Sequence, residues 1–223
     1  MSLQLLIDNG DPKVWEELTS TGLFSGITTN PSLLRRAKQS CRIEQLKKLA
    51  KHAESLGYKE LHLQAWGRSQ RELVLCGSQL DLLKTKQLKI YVKIPVTFTG
   101  SQAAKVLIEK GISVTLTACY DAKQIIIASG LGASYIAPYL GRINDLGVDG
   151  IQELKRMQKV LDGLGSTCKL LVASIRNPKE IIELASEGIN TFTISHKIAK
   201  ELYEVSATII AEQQFNNDAM STQ

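Results

Sequence analysis

Residues 90–118 read IYVKIPVTFTGSQAAKVLIEKGISVTLTA. Residues 90–96 are rich in β-branched and aromatic side chains and predict a strand. Residues 100–110 carry apolar side chains at helical spacing, and Gly111 marks the helix end. Residues 113–118 alternate Val114 and Leu116 with Thr115 and Thr117, which predicts a second strand. Strand, helix, strand in this order implies a parallel pair joined by a right-handed crossover.

The same alternation extends in both directions. Further strands are expected at 4–8, 26–29, 61–65, 135–140, 170–174 and 191–194, and helices at 11–20, 42–56, 69–83, 122–130, 150–161 and 178–186. Eight units of about 25 residues fit an α/β fold, a (β/α)8 TIM barrel, as a single domain over residues 1–213. An open doubly wound sheet would want a glycine-rich turn after the first strand, but Asp8-Asn9-Gly10-Asp11 holds no GxGxxG. A final helix is expected from His196 to about Gln213, with residues 214–223 as a flexible polar tail.

The 223 residues are 43% hydrophobic and 22% charged, which excludes wholesale disorder. No apolar run is long enough to span a bilayer. The first residues lack a charged n-region and reach Asp8 too soon for a signal peptide, so a soluble, cytoplasmic protein is expected. Cys41, Cys76, Cys119 and Cys168 are scattered without ligand spacing, as are His52, His62 and His196, so no structural metal is expected. The net charge of +5 suits nucleic acid or anionic metabolites. The basic residues are spread out, and the densest groups, Arg35-Arg36-Ala37-Lys38 and Lys47-Lys48, read as solvated helix faces. Small phosphorylated molecules are therefore favoured over a polynucleotide.

Strand parity sharpens this. Lys89, Tyr91 and Lys93 oppose Ile90, Val92 and Ile94; Gln4, Leu6 and Asp8 oppose Leu5 and Ile7; His62 and Gln64 oppose Leu61, Leu63 and Ala65. Ser174 and Arg176 fall in phase with Leu170 and Val172. Asp8, Asn30, Gln64, Lys93, Thr117, Tyr139 and Ser174 come from seven strand ends, the mouth of such a barrel. Lys93 is the sharpest of them. An ammonium inside a mostly apolar tube is costly unless paired, so Lys93 is either a structural partner of Asp8 or a neutral amine able to attack a carbonyl. Asp8 can move protons, and Thr117, Gln64 and Tyr139 can hold a water. Asn30 offers an amide to a hydroxyl, and Arg142, Ser174 and Arg176 make an anion cradle.

The stretches at 26–32 (GITTNPS), 92–97 (VKIPVT), 115–118 (TLTA), 137–142 (APYLGR) and 172–176 (VASIR) resemble the transaldolase family, in particular its fructose-6-phosphate aldolase and small-transaldolase branch. The likeness runs in order over nearly the whole chain. It implies a Schiff base on Lys93. Asp8, Thr28, Asn30, Thr117 and Ser174 are expected in the active site, and Arg142 and Arg176 on the phosphate. It also implies no cofactor, and a homo-oligomer, pentamer or decamer, in which the C-terminal helix reaches a neighbour. Gln64, Ala137 and Tyr139 resemble the aldolases, whereas Gly141-Arg142 and Arg176 resemble the transaldolases. The expected activity is therefore cleavage of fructose 6-phosphate to dihydroxyacetone and glyceraldehyde 3-phosphate. The alternatives are transfer of the dihydroxyacetone unit to an aldose phosphate, a non-catalytic sugar-phosphate-binding barrel, and a nucleic-acid binder.

Overall fold

The computed structural model describes residues 2–221. In its first half, β1 (Gln4–Asp8), α1 (Pro12–Thr19), β2 (Gly26–Thr28), α2 (Pro31–Arg36), α3 (Ile43–Ser55), β3 (Glu60–Gln64), α4 (Gln70–Asp81), β4 (Lys89–Pro95) and α5 (Phe98–Glu109) follow in turn. The second half runs β5 (Val114–Cys119), α6 (Lys123–Leu131), β6 (Tyr135–Pro138), α7 (Leu140–Asp145), α8 (Gly150–Gly163), β7 (Lys169–Leu170), α9 (Pro178–Ser186), β8 (Thr191–Ile194), α10 (His196–Glu201) and α11 (Ser206–Ser221).

All strand pairs are parallel, and the strands are ordered β7-β6-β5-β4-β3-β2-β1-β8. The ring closes at β7 and β8: the Val172 N–H donates to the Thr191 carbonyl (3.0 Å) and the Thr193 N–H to the Val172 carbonyl (2.9 Å). This is the (β/α)8 barrel expected from the alternation.

Several helices start at a side-chain cap that follows a strand. Asp11, Asn30, Ser69, Thr97, Asn177 and Ser195 each accept a backbone N–H of the first turn. Each such cap stabilises its helix by about 0.5–2 kcal/mol and fixes where the strand-to-helix loop ends. The mouth of the barrel is thus bordered by well-anchored turns.

Parity divides the core in two. Ile90, Val92 and Ile94, with Phe192 and Ile194, face outward into the layer between strands and helices. Leu6, Tyr91, Tyr135, Ala137 and Leu171 form a separate cluster inside the ring. The interior is not the mostly apolar tube expected. Glu60, His62, Thr115, Thr191 and Thr193 are buried as well. The His62 ring stacks on Tyr91 (centroids 4.6 Å apart) and meets Thr115 Oγ1 through Nδ1 at 2.9 Å. Its Nε2 lies 3.4 Å from a Glu60 oxygen, and an ionised carboxylate only accepts, so Nε2 carries the proton and Nδ1 accepts from Thr115. Burial keeps the His62 ring below its ordinary range and hence neutral. Burial alone would raise the Glu60 carboxyl, but hydrogen bonds from His62, Gln4 and Tyr135 outweigh it and hold the group low.

Four local expectations change. The sixth strand ends at Pro138 rather than residue 140, because Leu140 begins α7 with Tyr139 as its N-cap. The regular ladder of β7 stops at Leu170, four residues early, and only isolated bridges at Val172 and Ala173 continue it. Short helix α2 forms from Pro31, which suits a first helical turn. The last expected helix is two, α10 and α11, broken at 202–205, and the second runs past Gln213 to Ser221. α11 buries none of its side chains.

Phe192 is fully buried beside the closing seam. Phe192→Ala is expected to destabilise the fold by about 3–5 kcal/mol, measured by denaturant or thermal melting.

Candidate active site

A cavity of about 750 Å³ opens at the C-terminal end of the strands. Lys93, Asp8, Asn30, Gln64, Tyr139, Ser174 and Arg142 line it. Six strand ends, those of β1, β2, β3, β4, β6 and β7, thus converge on one space, where barrels place their chemistry.

Lys93 is 4% exposed. Its Nζ donates to the Thr29 carbonyl at 2.8 Å. None of the ion pairs among the described residues includes it. Burial pushes the amine below the usual lysine range, and the nearby charge of Asp8 only partly opposes this. The structural reading, a lysine bound to a carboxylate, is not the arrangement present. Asp8 is instead engaged by Thr28, whose Oγ1 donates to Oδ1 at 2.7 Å and also meets Thr193 Oγ1 at 2.7 Å.

Tyr139 stands across the mouth. Its hydroxyl meets Thr117 Oγ1 at 2.8 Å. Burial raises the phenol, with the Thr117 hydrogen bond partly offsetting it, so the group is a neutral proton donor near pH 7. The Arg142 guanidinium lies 5.4 Å from the centre of the Tyr139 ring and donates to the Tyr120 hydroxyl at 3.4 Å. Asn30 caps α2 through Oδ1, 2.9 Å from the Leu33 N–H. Gln64 borders the cavity on β3, and its amide lies 3.5 Å from the Ala65 carbonyl.

The remaining expected residues lie elsewhere. Thr28 and Thr117 are fully buried behind Asp8 and Tyr139, and Ala137 sits in the interior cluster, so none of the three borders the cavity. Arg176 does not border it either: both its terminal nitrogens hold Asp145, at 2.6 and 2.5 Å. Gly141 permits this position, because a Cβ there would come within 2.6 Å of Arg176 Nε and of the Ser174 carbonyl. Ser174 reaches the cavity against its parity. Leu170 and Val172 face outward, but the backbone at Ser174 is left-handed (φ 61°) and turns the residue inward. Ala118 (φ 56°) does the same on β5. Each such residue stores about 1–3 kcal/mol of strain, and both lie on this wall.

Sequence reasoning missed Arg36, Trp66, Arg68 and Tyr120, all on the cavity wall. Arg36 reads from sequence as part of a solvated helix face, although it follows Asn30 closely and the structure puts it on the cavity wall. Arg68 lies four residues beyond Gln64, and that spacing was the available signal. Among the described residues, no group of three or more His, Cys, Asp or Glu is arranged to hold a metal ion. No helix there is long and apolar enough to cross a membrane.

A (β/α)8 barrel with a buried amine at its mouth defines a broad class. Comparison narrows it. The model of the Transaldolase/Fructose-6-phosphate aldolase family matches residues 5–223, and the chain belongs to that family. A probable transaldolase of Caulobacter vibrioides is 29% identical over 220 residues, covering 99% of this chain and 98% of that one. One of Paracoccus denitrificans is 30% identical with the same coverage. One of Methanococcus vannielii is 27% identical, covering 97% of each. The protein is thus an enzyme of the transaldolase type. A mandelate oxidase mutant resembles it in fold alone (TM-score 0.60, 12% identity, 87% of this chain and 65% of that one). So does a structure described as native KDPGal (TM-score 0.59, 10% identity, 87% and 82%).

The state of Lys93 has a consequence for stability. A lysine whose folded pKa lies below its unfolded value binds fewer protons in the folded state between the two values, so stability rises with pH across that window. Lys93→Met removes this penalty. The variant is expected to melt above the parent at neutral pH, with the gap narrowing as pH climbs toward 10.5, the ordinary lysine value. Thermal melts at a series of pH values measure it.

Proposed function

We propose that the protein is a Schiff-base aldolase that cleaves fructose 6-phosphate to dihydroxyacetone and glyceraldehyde 3-phosphate. The observation that carries this is the buried Lys93 amine, bound to a carbonyl rather than a carboxylate, in the cavity shared by Asp8, Tyr139 and Arg142. A neutral amine keeps its lone pair for attack.

Lys93 Nζ adds to the C2 carbonyl, and loss of water leaves a protonated imine. Asp8, held by Thr28, is placed to stabilise that cation and to exchange protons. Removal of the C4 hydroxyl proton lets the C4 oxygen form the aldehyde carbonyl as the C3–C4 bond breaks; that bonding pair becomes the C2=C3 double bond and the C=N π pair moves to nitrogen. Glyceraldehyde 3-phosphate leaves from the side of Arg142, and an enamine stays on Lys93. Protonation at C3 and attack of water then release dihydroxyacetone and restore the amine. Tyr139, polarised by Thr117, supplies the hydroxyl that serves that water, with Gln64 on the wall of the same cavity.

A second reading is transfer: the enamine adds to another aldose phosphate, such as erythrose 4-phosphate, instead of meeting water. The relatives named probable transaldolase favour it. Fructose 6-phosphate supplied with and without erythrose 4-phosphate separates the two. Free dihydroxyacetone without acceptor is the expected result; sedoheptulose 7-phosphate formed only with acceptor overturns cleavage in favour of transfer. Tyr139→Phe is expected to raise the ratio of transfer to release by about tenfold or more, and an unchanged ratio contradicts the role of that hydroxyl.

The reading carries an expectation of self-assembly. α11 exposes Ile210 (66%) and Phe215 (70%) and packs no side chain into its own barrel. Deletion of residues 206–223 is expected to lower the number of subunits per assembly in sedimentation; an unchanged number rules α11 out as the contact.

A further inference from the structure

A single guanidinium leaves several acceptor sites of a phosphate unmet. Arg176 does not add to Arg142 here, because Asp145 holds both its terminal nitrogens. Tyr120, which no step of the cleavage uses, stands beside Arg142 instead. Both side chains line the main cavity. Both also line the neighbouring hollow that contains the Arg176–Asp145 pair, so they stand together where the two spaces meet.

The Tyr120 hydroxyl accepts from Arg142 Nη1 at 3.4 Å. A phenol both donates and accepts, and among the described residues this one has no acceptor for its own proton. A phosphate set against Arg142 can therefore be met by N–H groups of the guanidinium and by the O–H of Tyr120. The ring is held in place for this. It packs edge-on with Tyr139, the centroids 5.7 Å apart and the planes at 72°. Arg142 lies 5.4 Å from the centre of the same Tyr139 ring, so the three side chains form one cluster. The backbone under Tyr120 is pinned as well. Its N–H and that of Asp121 donate to Gln124 Oε1, at 2.8 and 3.2 Å, and the Ala122 N–H donates to Glu153 at 2.6 Å. Donors fixed before the ligand arrives lose little freedom on binding it.

We propose that Tyr120 is a specificity-determining residue: its hydroxyl aims Arg142 and donates a further hydrogen bond to the phosphate of the aldehyde, so that the site selects phosphorylated over unphosphorylated aldehydes. This rests on the imine reading, with Arg142 on the phosphate. A site built to hydrogen-bond a group discriminates strongly against the analogue that lacks it.

The test runs the cleavage backwards. Dihydroxyacetone is joined to glyceraldehyde 3-phosphate or to unphosphorylated glyceraldehyde, and kcat and KM for each aldehyde are measured in the parent, Y120F, R142Q and the double variant. Phenylalanine keeps the ring and its packing on Tyr139. Y120F is expected to lower the ratio of kcat/KM for the phosphorylated over the unphosphorylated aldehyde by about tenfold or more, mainly through the KM of glyceraldehyde 3-phosphate. The double variant is expected to lose less than the product of the two single losses, since both act on one phosphate. A ratio that Y120F retains overturns the role of Tyr120 and leaves the imine reading standing. So does a loss that falls equally on both aldehydes, as a residue serving packing alone would give, and so does a double variant that loses the full product. A parent that joins dihydroxyacetone to neither aldehyde overturns the cleavage reading and the role of Tyr120 together.

Discussion

The structure is organised around one costly placement, a lysine side chain closed off from water inside the barrel. Burial disfavours the ammonium form, and the partner that Lys93 Nζ finds is a backbone carbonyl, which compensates a charge far less than a carboxylate does. Asp8 is near enough to be felt but is bound by Thr28, itself tied to Thr193. The result is an amine that is inexpensive to keep neutral, next to a carboxylate that can support a cation once one forms. The capped turns around the mouth and the strained residues Ala118 and Ser174 keep the rest of the wall in register with it.

Below the amine the barrel is floored by polar and aromatic groups. Neutral His62 lies against Tyr91, donates to Glu60 and accepts from Thr115, which pairs in register with Lys93. Such a network is stable inside a protein only when its members are satisfied. Here the carboxylate has donors from Gln4, His62 and Tyr135. The floor is therefore rigid, and the amine above it has little room to relax. The arginines of the cavity sit above, where the wall is open.

Much of this was legible because it depends on period. Alternation of two and of 3.6 residues fixes strands, helices and the side each residue faces, so Asp8, Lys93 and Tyr139 could be placed on one inner wall from sequence. Lys93 stood out because an ion between Val92 and Ile94 is expensive without a purpose. What escaped depends on single backbone turns and on partners distant in the chain. Thr28 and Thr117 have the right parity, but that they support Asp8 and Tyr139 from behind rather than touch the cavity is a matter of depth. Ser174 reaches the wall through a left-handed turn that no alternation predicts. Arg176 shares its strand end with Ser174 and yet is taken by Asp145. Arg36 was hidden by a six-residue helix too short to announce itself, and Arg68 by a loop.

The central claim is that one buried amine bonds covalently to a ketose. Reduction with borohydride in the presence of fructose 6-phosphate, followed by peptide mapping, tests it most directly. A single stable adduct on Lys93 is the predicted result. A folded protein that carries no adduct, or carries it on another lysine, contradicts the account.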